Sequence, residues 1–156
     1  DYKNQNRIVI GGERPGSTRI KALFAKAFPK IPIIKTSSTI AETIKYVTNT
    51  FLAMKVSYAN EISSLCQALN IDYDKVIEYA RYDDRLGNSH WSVPGPDGDF
   101  GFGGHCFKKD LEALLFLSSS LNIDTTMLTA TNEKNKKVRT NEDWKSQVGR
   151  AVSEEL

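Results

Sequence analysis

Apolar positions recur along this chain in two rhythms, with the change near residue 39. Before it, "RIVIGG" (Arg7 to Gly12) is a β-branched apolar run closed by two glycines, which predicts a short buried strand and a tight turn. In "GSTRIKALFAKAF", Ser17 is placed to cap a helix with Ile20, Leu23, Phe24 and Ala27 on one face. Pro29 and Pro32 bracket "IPIIKT", a second strand. A single βαβ unit cannot bury both faces of its sheet, so the rest of that sheet has to come from elsewhere.

From Thr39 the spacing lengthens to three and four. Ile40, Ile44, Val47, Phe51, Met54, Tyr58, Ile62, Leu65 and Leu69 form a continuous stripe without proline or glycine. It predicts one helix of about 30 residues, roughly 45 Å long at the rise of an α-helix. Ser38 or Thr39 can cap its start, with Glu42 completing a capping box with Thr39. A helix of that length exceeds the needs of a small monomer and suits a crossing onto a partner subunit. Further helices are predicted in "DYDKVIEYARYD", in "KKDLEALLFLSSSLN" with Leu111, Leu114, Leu115 and Leu117 inward, and in "TTMLTATNEKNKKV". Glycine and proline crowd the loop from Leu86 to Phe102, and after Arg139 the polar, uneven sequence predicts a frayed or disordered tail. The predicted fold class is mainly α with an N-terminal βαβ piece. Its expected divisions are 1–36, 37–138 and a flexible 139–156.

Composition narrows the function classes. Apolar residues make up 40% and charged residues 26% of the 156, the pattern of a globular chain. A net charge of +2, spread along the sequence, gives no reason to expect nucleic acid as a partner. No run of about 18 apolar residues or charged-then-apolar leader is present, so a cytoplasmic protein without a membrane partner is expected. The densest basic stretch, "EKNKKVR" up to Arg139, is read as a solvated helical face, with phosphate binding as the alternative. Cys66 and Cys106 form no C-x-x-C, and His90 and His105 have no partner at metal-ligand spacing, so no metal site is expected.

The chemistry gathers in "GFGGHCFKKD", residues 101 to 110. Cys106 follows a glycine cluster and stands at the start of a predicted helix beside two lysines. Helix N-termini and nearby cations favour thiolate, so Cys106 is a candidate nucleophile, with a small core residue as the alternative. Cys66, inside the long helix, is read as structural. Gly101, Gly103 and Gly104 would let backbone approach a ligand closely, yet they match neither the dinucleotide fingerprint nor a P-loop. "GGERPGSTR" fails both tests as well. Lys45 and Asn49, four residues apart, share a helical face; they are either two solvated residues or a cation and an amide aimed at a developing oxyanion.

Three stretches together resemble the UDP-glucose/GDP-mannose dehydrogenase family. "AETIKYVTNTFLAMKVSYANEISSLCQAL" resembles its central helix, "DDRLGNSHWSVPGPDGDFGFGGHCFKKDLEAL" its catalytic loop, and "NRIVIGG…PIIKTSS" the last β-α-β of its Rossmann domain. The resemblance implies the end of a Rossmann-like domain followed by a long-helix dimerisation domain of the 6-phosphogluconate dehydrogenase type. It implies an NAD-dependent oxidoreductase that takes UDP-glucose or a related nucleotide sugar through two oxidations at C6, a supplier of uronic acids for polysaccharide biosynthesis. Cys106 would form a thiohemiacetal and then a thioester. Lys45 and Asn49 would stabilise the oxyanion, and Asp110 would orient or activate the hydrolytic water. Asp97, Gly98, Asp99, Phe100, Gly101, Phe102 and Gly103 would meet the sugar nucleotide. Lys109 would face the cofactor, and Arg85 would cross a homodimer interface.

Two departures accompany the resemblance. Lys108 stands where the family usually has proline, adding charge and loosening the turn. The sequence also carries no G-x-G-x-x-G, which implies a piece of a longer enzyme, a split enzyme working with a separate Rossmann-bearing chain, or a decayed gene product, inactive by itself. The alternative reading is a non-catalytic helical dimerisation module derived from the family. Fast alkylation of Cys106 is expected for a retained active site and an inert Cys106 for the module.

Overall fold

The computed structural model describes residues 6–146. Its elements are β1 (Ile8–Gly11), α1 (Gly16–Ala27), β2 (Ile33–Thr36), α2 (Ser38–Ala68), α3 (Tyr73–Ala80), α4 (Cys106–Ser120) and α5 (Thr126–Val138), with 3-10 turns at Asp84–Leu86 and Asp143–Ser146. The fold is thus mainly α with an N-terminal βαβ piece. Two compact units divide between Val47 and Thr48, inside α2 and later than the boundary at 36/37 that the sequence predicts. Among the described residues no helix is long and apolar enough to cross a membrane.

In the first unit β1 and β2 pair in parallel, Ile8 opposite Ile33 and Gly11 opposite Thr36. Ile8 and Ile10 are buried by the alternation of the strand. Gly11 ends β1 against the start of α2, where a Cβ would lie 2.6 Å from that of Ala41 and 2.9 Å from the Ser38 Cα. Ser17 is buried inside the first turn of α1, whose cap position is Pro15, so it does not cap. Ser37 instead takes the amide of Ile40 at 3.3 Å, one residue ahead of the predicted caps.

The second unit packs α4 and α5 with the C-terminal part of α2. The apolar stripe of α2 is not its buried face. Phe51, Tyr58, Leu65 and Leu69 of the apolar stripe are more than half exposed, while Thr50, Ala53, Val56, Ser57, Ala59, Asn60 and Cys66 are buried. Small side chains on that face make room for bulk arriving from other elements: Ala53 and Val56 take Phe102 and Leu111, and Ala59 takes Ile77 and Trp91. On α4, Leu111 is fully buried, whereas Leu117 faces outward.

Candidate active site

The loop that leads into α4 is held from both ends by side chains of the helices beneath it. At its start, Lys55 of α2 donates to the Leu86 and Gly87 carbonyls at 2.8 and 3.3 Å and lies 4.5 Å over the Trp91 ring. Trp91 donates through Nε1 to the Gly87 carbonyl at 2.9 Å, and the Tyr73 hydroxyl donates to the Trp91 carbonyl at 2.6 Å. Burial, with Asp74 and Cys66 nearby, pushes the Tyr73 pKa up to about 12, which keeps that donor protonated. At the other end, Gly101 N–H donates to Asn60 Oδ1 at 3.2 Å. Phe102 N–H donates to Asn135 Oδ1 at 2.7 Å, and Asn135 Nδ2 donates back to the Phe102 carbonyl at 3.0 Å. Asn135 thereby pairs with the loop backbone as a neighbouring strand would.

Arg139 forms a third anchor and overturns two expectations. Its side chain is 1% exposed, with Nη2 2.7 Å from Asp97 and 3.3 Å from Asp143. Nε donates to the Asn141 carbonyl at 2.7 Å and lies 3.4 Å from Asp99. The last residue of the basic stretch is therefore buried among carboxylates rather than solvated. Nor are residues 139–146 frayed: Trp144 is buried, and Asp99 accepts from Thr140 N–H, Thr140 Oγ1 and Asn141 N–H at 3.1, 3.0 and 2.7 Å. The remainder of the predicted tail, 147–156, lies outside the described residues.

Those bonds have a pH signature. The Asn141 amide foremost, with the Phe100 amide and the Thr140 hydroxyl and amide, holds the Asp99 carboxyl down to about 2 against an ordinary 3.8. Arg139 lowers Asp97 in the same direction. A depressed carboxyl contributes stability that is present above the unfolded pKa and lost as pH falls through the folded one. Tryptophan fluorescence from Trp91 and Trp144 is therefore expected to report loosening between about pH 4 and pH 2. In D99N the part of this transition that belongs to Asp99 should disappear, and an unchanged acid limb would count against the assignment.

Beside the loop lies a cavity of about 560 Å³. Ser89, His90 and Ser92 form one wall, and Gly101 to Gly104 with Phe107 and Asp143 form another. Its size suits a small organic ligand. Of the predicted substrate residues, Asp97, Gly101, Phe102 and Gly103 line it, while Gly98, Asp99 and Phe100 do not. Asp99 is committed to residues 139–141, and Phe100 is 47% exposed. Arg85 stands 87% exposed on the surface, its guanidinium on Asp83.

Cys106 is the first residue of α4 and exposed, between Gly104 and Phe107 of the cavity wall in the chain. Cys66 is buried. One turn beyond Cys106, Asp110 is buried, accepting from Asn49 Nδ2 at 2.5 Å and lying 3.4 Å from the Lys109 ammonium. Asn49, Lys109 and Asp110 are thus gathered at one place. Lys45 belongs to the first unit, where it is exposed with its ammonium 5.9 Å from the Tyr46 ring centre.

Lys108 differs from its expected role as a loosening charge. It is buried, donating to Asn132 Oδ1 at 2.9 Å, 2.7 Å from Glu112 and 5.6 Å from the Trp144 ring centre. It ties the start of α4 to α5 and to the Asp143–Ser146 turn.

The sequence marks His90 only as a histidine without a metal-ligand partner, not as part of a cavity. His90 lines the cavity with its ring 5.6 Å from that of Phe107, and burial, then Lys55, lowers its pKa. Its left-handed φ of 67° belongs to a loop conformation that carries no periodic signal. Asn60 and Asn135 were missed too, although asparagine in a helix interior is unfavourable enough to serve as a signal for a second role.

The second unit thus sets an exposed thiol at a helix start, flanked in the chain by two residues of a ligand-sized cavity wall, with a buried aspartate one turn on. Residues 39–137 match the model for the UDP-glucose/GDP-mannose dehydrogenase family, central domain, and the chain belongs to that family. It is 35% identical over 139 residues to UDP-glucose 6-dehydrogenase TuaD of Bacillus subtilis, covering 89% of this chain and 29% of that protein. Against the UDP-glucose 6-dehydrogenase of Mus musculus it is 36% identical over 128 residues, 79% of this chain and 25% of the relative. Among solved structures it is similar to a UDP-glucose dehydrogenase from the hyperthermophilic archaeon Pyrobaculum islandicum. That match has a TM-score of 0.76 and 32% identity, and covers 85% of this chain and 29% of the other. The chain therefore spans between a quarter and three-tenths of the length of these relatives.

Proposed function

We propose that this chain carries the sulfur chemistry of a cytoplasmic nucleotide-sugar 6-dehydrogenase acting on UDP-glucose, and that it oxidises nothing by itself. The observation that carries the reading is the address of Cys106: exposed at the N-terminus of α4, flanked by residues of the cavity wall, with the buried Asp110 one turn along.

Adding to the C6 aldehyde, the Cys106 thiolate forms a carbon–sulfur bond and leaves an oxyanion. Lys45 and Asn49 stabilise that charge; one N–H of the Asn49 amide is already given to Asp110, so the other serves the oxyanion. At the thioester stage water attacks the acyl carbon and Asp110 takes one of its protons; the carbon–sulfur bond breaks, the thiolate is restored, and the carboxylic acid formed gives its remaining proton to solvent and departs as the carboxylate. Asp97, Gly101, Phe102 and Gly103 line the place for the sugar nucleotide, with Gly98, Asp99 and Phe100 shaping the turn around it. Arg85, exposed, reaches a neighbouring protomer.

NAD is the hydride acceptor that family membership suggests, and the described residues do not fit it alone. The turn after β1, Gly11-Gly12-Glu13-Arg14-Pro15-Gly16, lacks the G-x-G-x-x-G that would seat a dinucleotide. Lys109, 41% exposed beside Asp110, is the residue assigned to face the cofactor when a separate Rossmann-bearing chain or segment supplies the site.

Incubated with UDP-glucose and NAD, the isolated chain is expected to form no NADH, and addition of a Rossmann-bearing chain is expected to restore formation. Turnover by the chain alone would overturn the reading that it oxidises nothing by itself. An inert Cys106 and no recovery would favour the dimerisation module.

The exposed stripe of Phe51, Tyr58, Leu65 and Leu69 supports a homodimer in either case, because a monomer rarely leaves such a row in water. Light scattering is expected to give twice the chain mass for the wild type and the single mass for the double variant F51D/L65D. A monomeric wild type would sink the assignment of the stripe to self-association.

A further inference from the structure

We propose that Arg139 is a positioning residue for the cavity beside Cys106, acting through a strap formed by residues 139–146. The inference rests on the reading of that cavity as the nucleotide-sugar site. The strap grips both sides of Cys106 in the chain. On the loop side, Arg139 binds Asp97 and Asp143, two residues of the cavity wall, while Asp143 Oδ2 accepts the Gly104 N–H at 2.9 Å. On the helix side, Trp144 is buried beneath the Lys108 ammonium, two residues past the cysteine.

The fit leaves no slack. A Cβ on Gly103 would stand 2.1 Å from Arg139 Nη2 and 2.6 Å from Asp143 Oδ1, so the glycine backbone rests directly on the guanidinium. A lysine in place of Arg139 would keep the charge but not the planar fork that reaches Asp97, Asp143 and the Asn141 carbonyl together. The guanidinium therefore fixes where Gly103 and Gly104 stand, and with them the wall against which a ligand must lie.

Amide hydrogen exchange in the ligand-free chain tests the strap without requiring any ligand to bind. R139Q is expected to speed exchange at Phe102 and Gly104 by about tenfold or more while Leu111 in α4 keeps its protection and Cys66 stays closed to alkylation. UDP-glucose affinity should fall about tenfold, with R139K recovering only part of it. Unchanged exchange at Phe102 and Gly104, or full recovery of affinity in R139K, overturns the proposal. If R139Q does not fold, D143N removes the acceptor of the Gly104 N–H alone, and the same amides decide the matter. Failure of the wild-type chain to bind UDP-glucose would remove the nucleotide-sugar reading while the exchange result stood.

Discussion

C106S is expected to abolish the fast thiol reaction of this chain, and C66S to leave it intact. The two cysteines differ in access. Cys106 is exposed at the first position of α4, whereas Cys66 is 3% exposed inside α2. A buried thiol reacts only when its element opens. An opening free energy of about 3 kcal/mol already slows it by roughly a hundredfold, since each 1.4 kcal/mol is a factor of ten. Iodoacetamide should therefore consume one thiol quickly and the other about a hundred times more slowly or less, and UDP-glucose should slow the fast phase alone. When a Rossmann-bearing chain restores turnover, C106S should lower it by at least about 10³-fold, because the carbon–sulfur bond proposed for the second oxidation can no longer form. A fast phase that persists in C106S, or turnover that survives it, would remove Cys106 from the centre of the chemistry.

The difference between the two cysteines was legible in the sequence because both signals are local. A glycine cluster before a helix start and an apolar stripe around a mid-helix thiol lie within a few residues of the atoms they describe. Element order was legible for the same reason, and α3, α5 and the two strands stand where the spacing predicts them. The inward face of α2 was not. Periodicity shows that a row of large apolar residues shares one side, but not whether that side meets the chain's own core. Here the core took Ala53, Val56 and Ala59, and the row was left outward.

Long-range polar pairing was the other blind spot. Arg139 and Asp99 are 40 positions apart in sequence, and nothing in "RTNED" marks it as different from a solvated tail. Asp97 and Asp99 are both bound to the 139–143 segment, a pairing that the motif around them does not announce. Lys108 shows the same limit, since a charge that sequence places in a turn is in fact buried between Asn132, Glu112 and the Trp144 ring.

G101A is expected to cost far more than G98A, although both glycines have positive φ. At Gly98 (φ 81°) nothing lies within 4 Å of an added Cβ, so alanine there meets only the left-handed backbone, about 1–2 kcal/mol. At Gly101 (φ 68°) the same penalty applies, and the Cβ would also fall 2.2 Å from Asn135 Oδ1 and 3.1 Å from Val138 Cγ2. Asn135 cannot retreat without giving up both of its bonds to Phe102, and it is itself 1% exposed. Leaving those buried backbone groups unpaired costs about 1–3 kcal/mol each. The sum, on the order of 3–8 kcal/mol, is a large part of the stability of an ordinary domain. Urea unfolding should therefore show a modest midpoint shift for G98A and a severe one, or loss of the folded state, for G101A. Removing the obstacle gives a further check: N135A should itself be destabilising, yet G101A should cost less in that background than in the wild type. Equal costs in the two backgrounds would mean that the Asn135 contact does not enforce glycine at position 101.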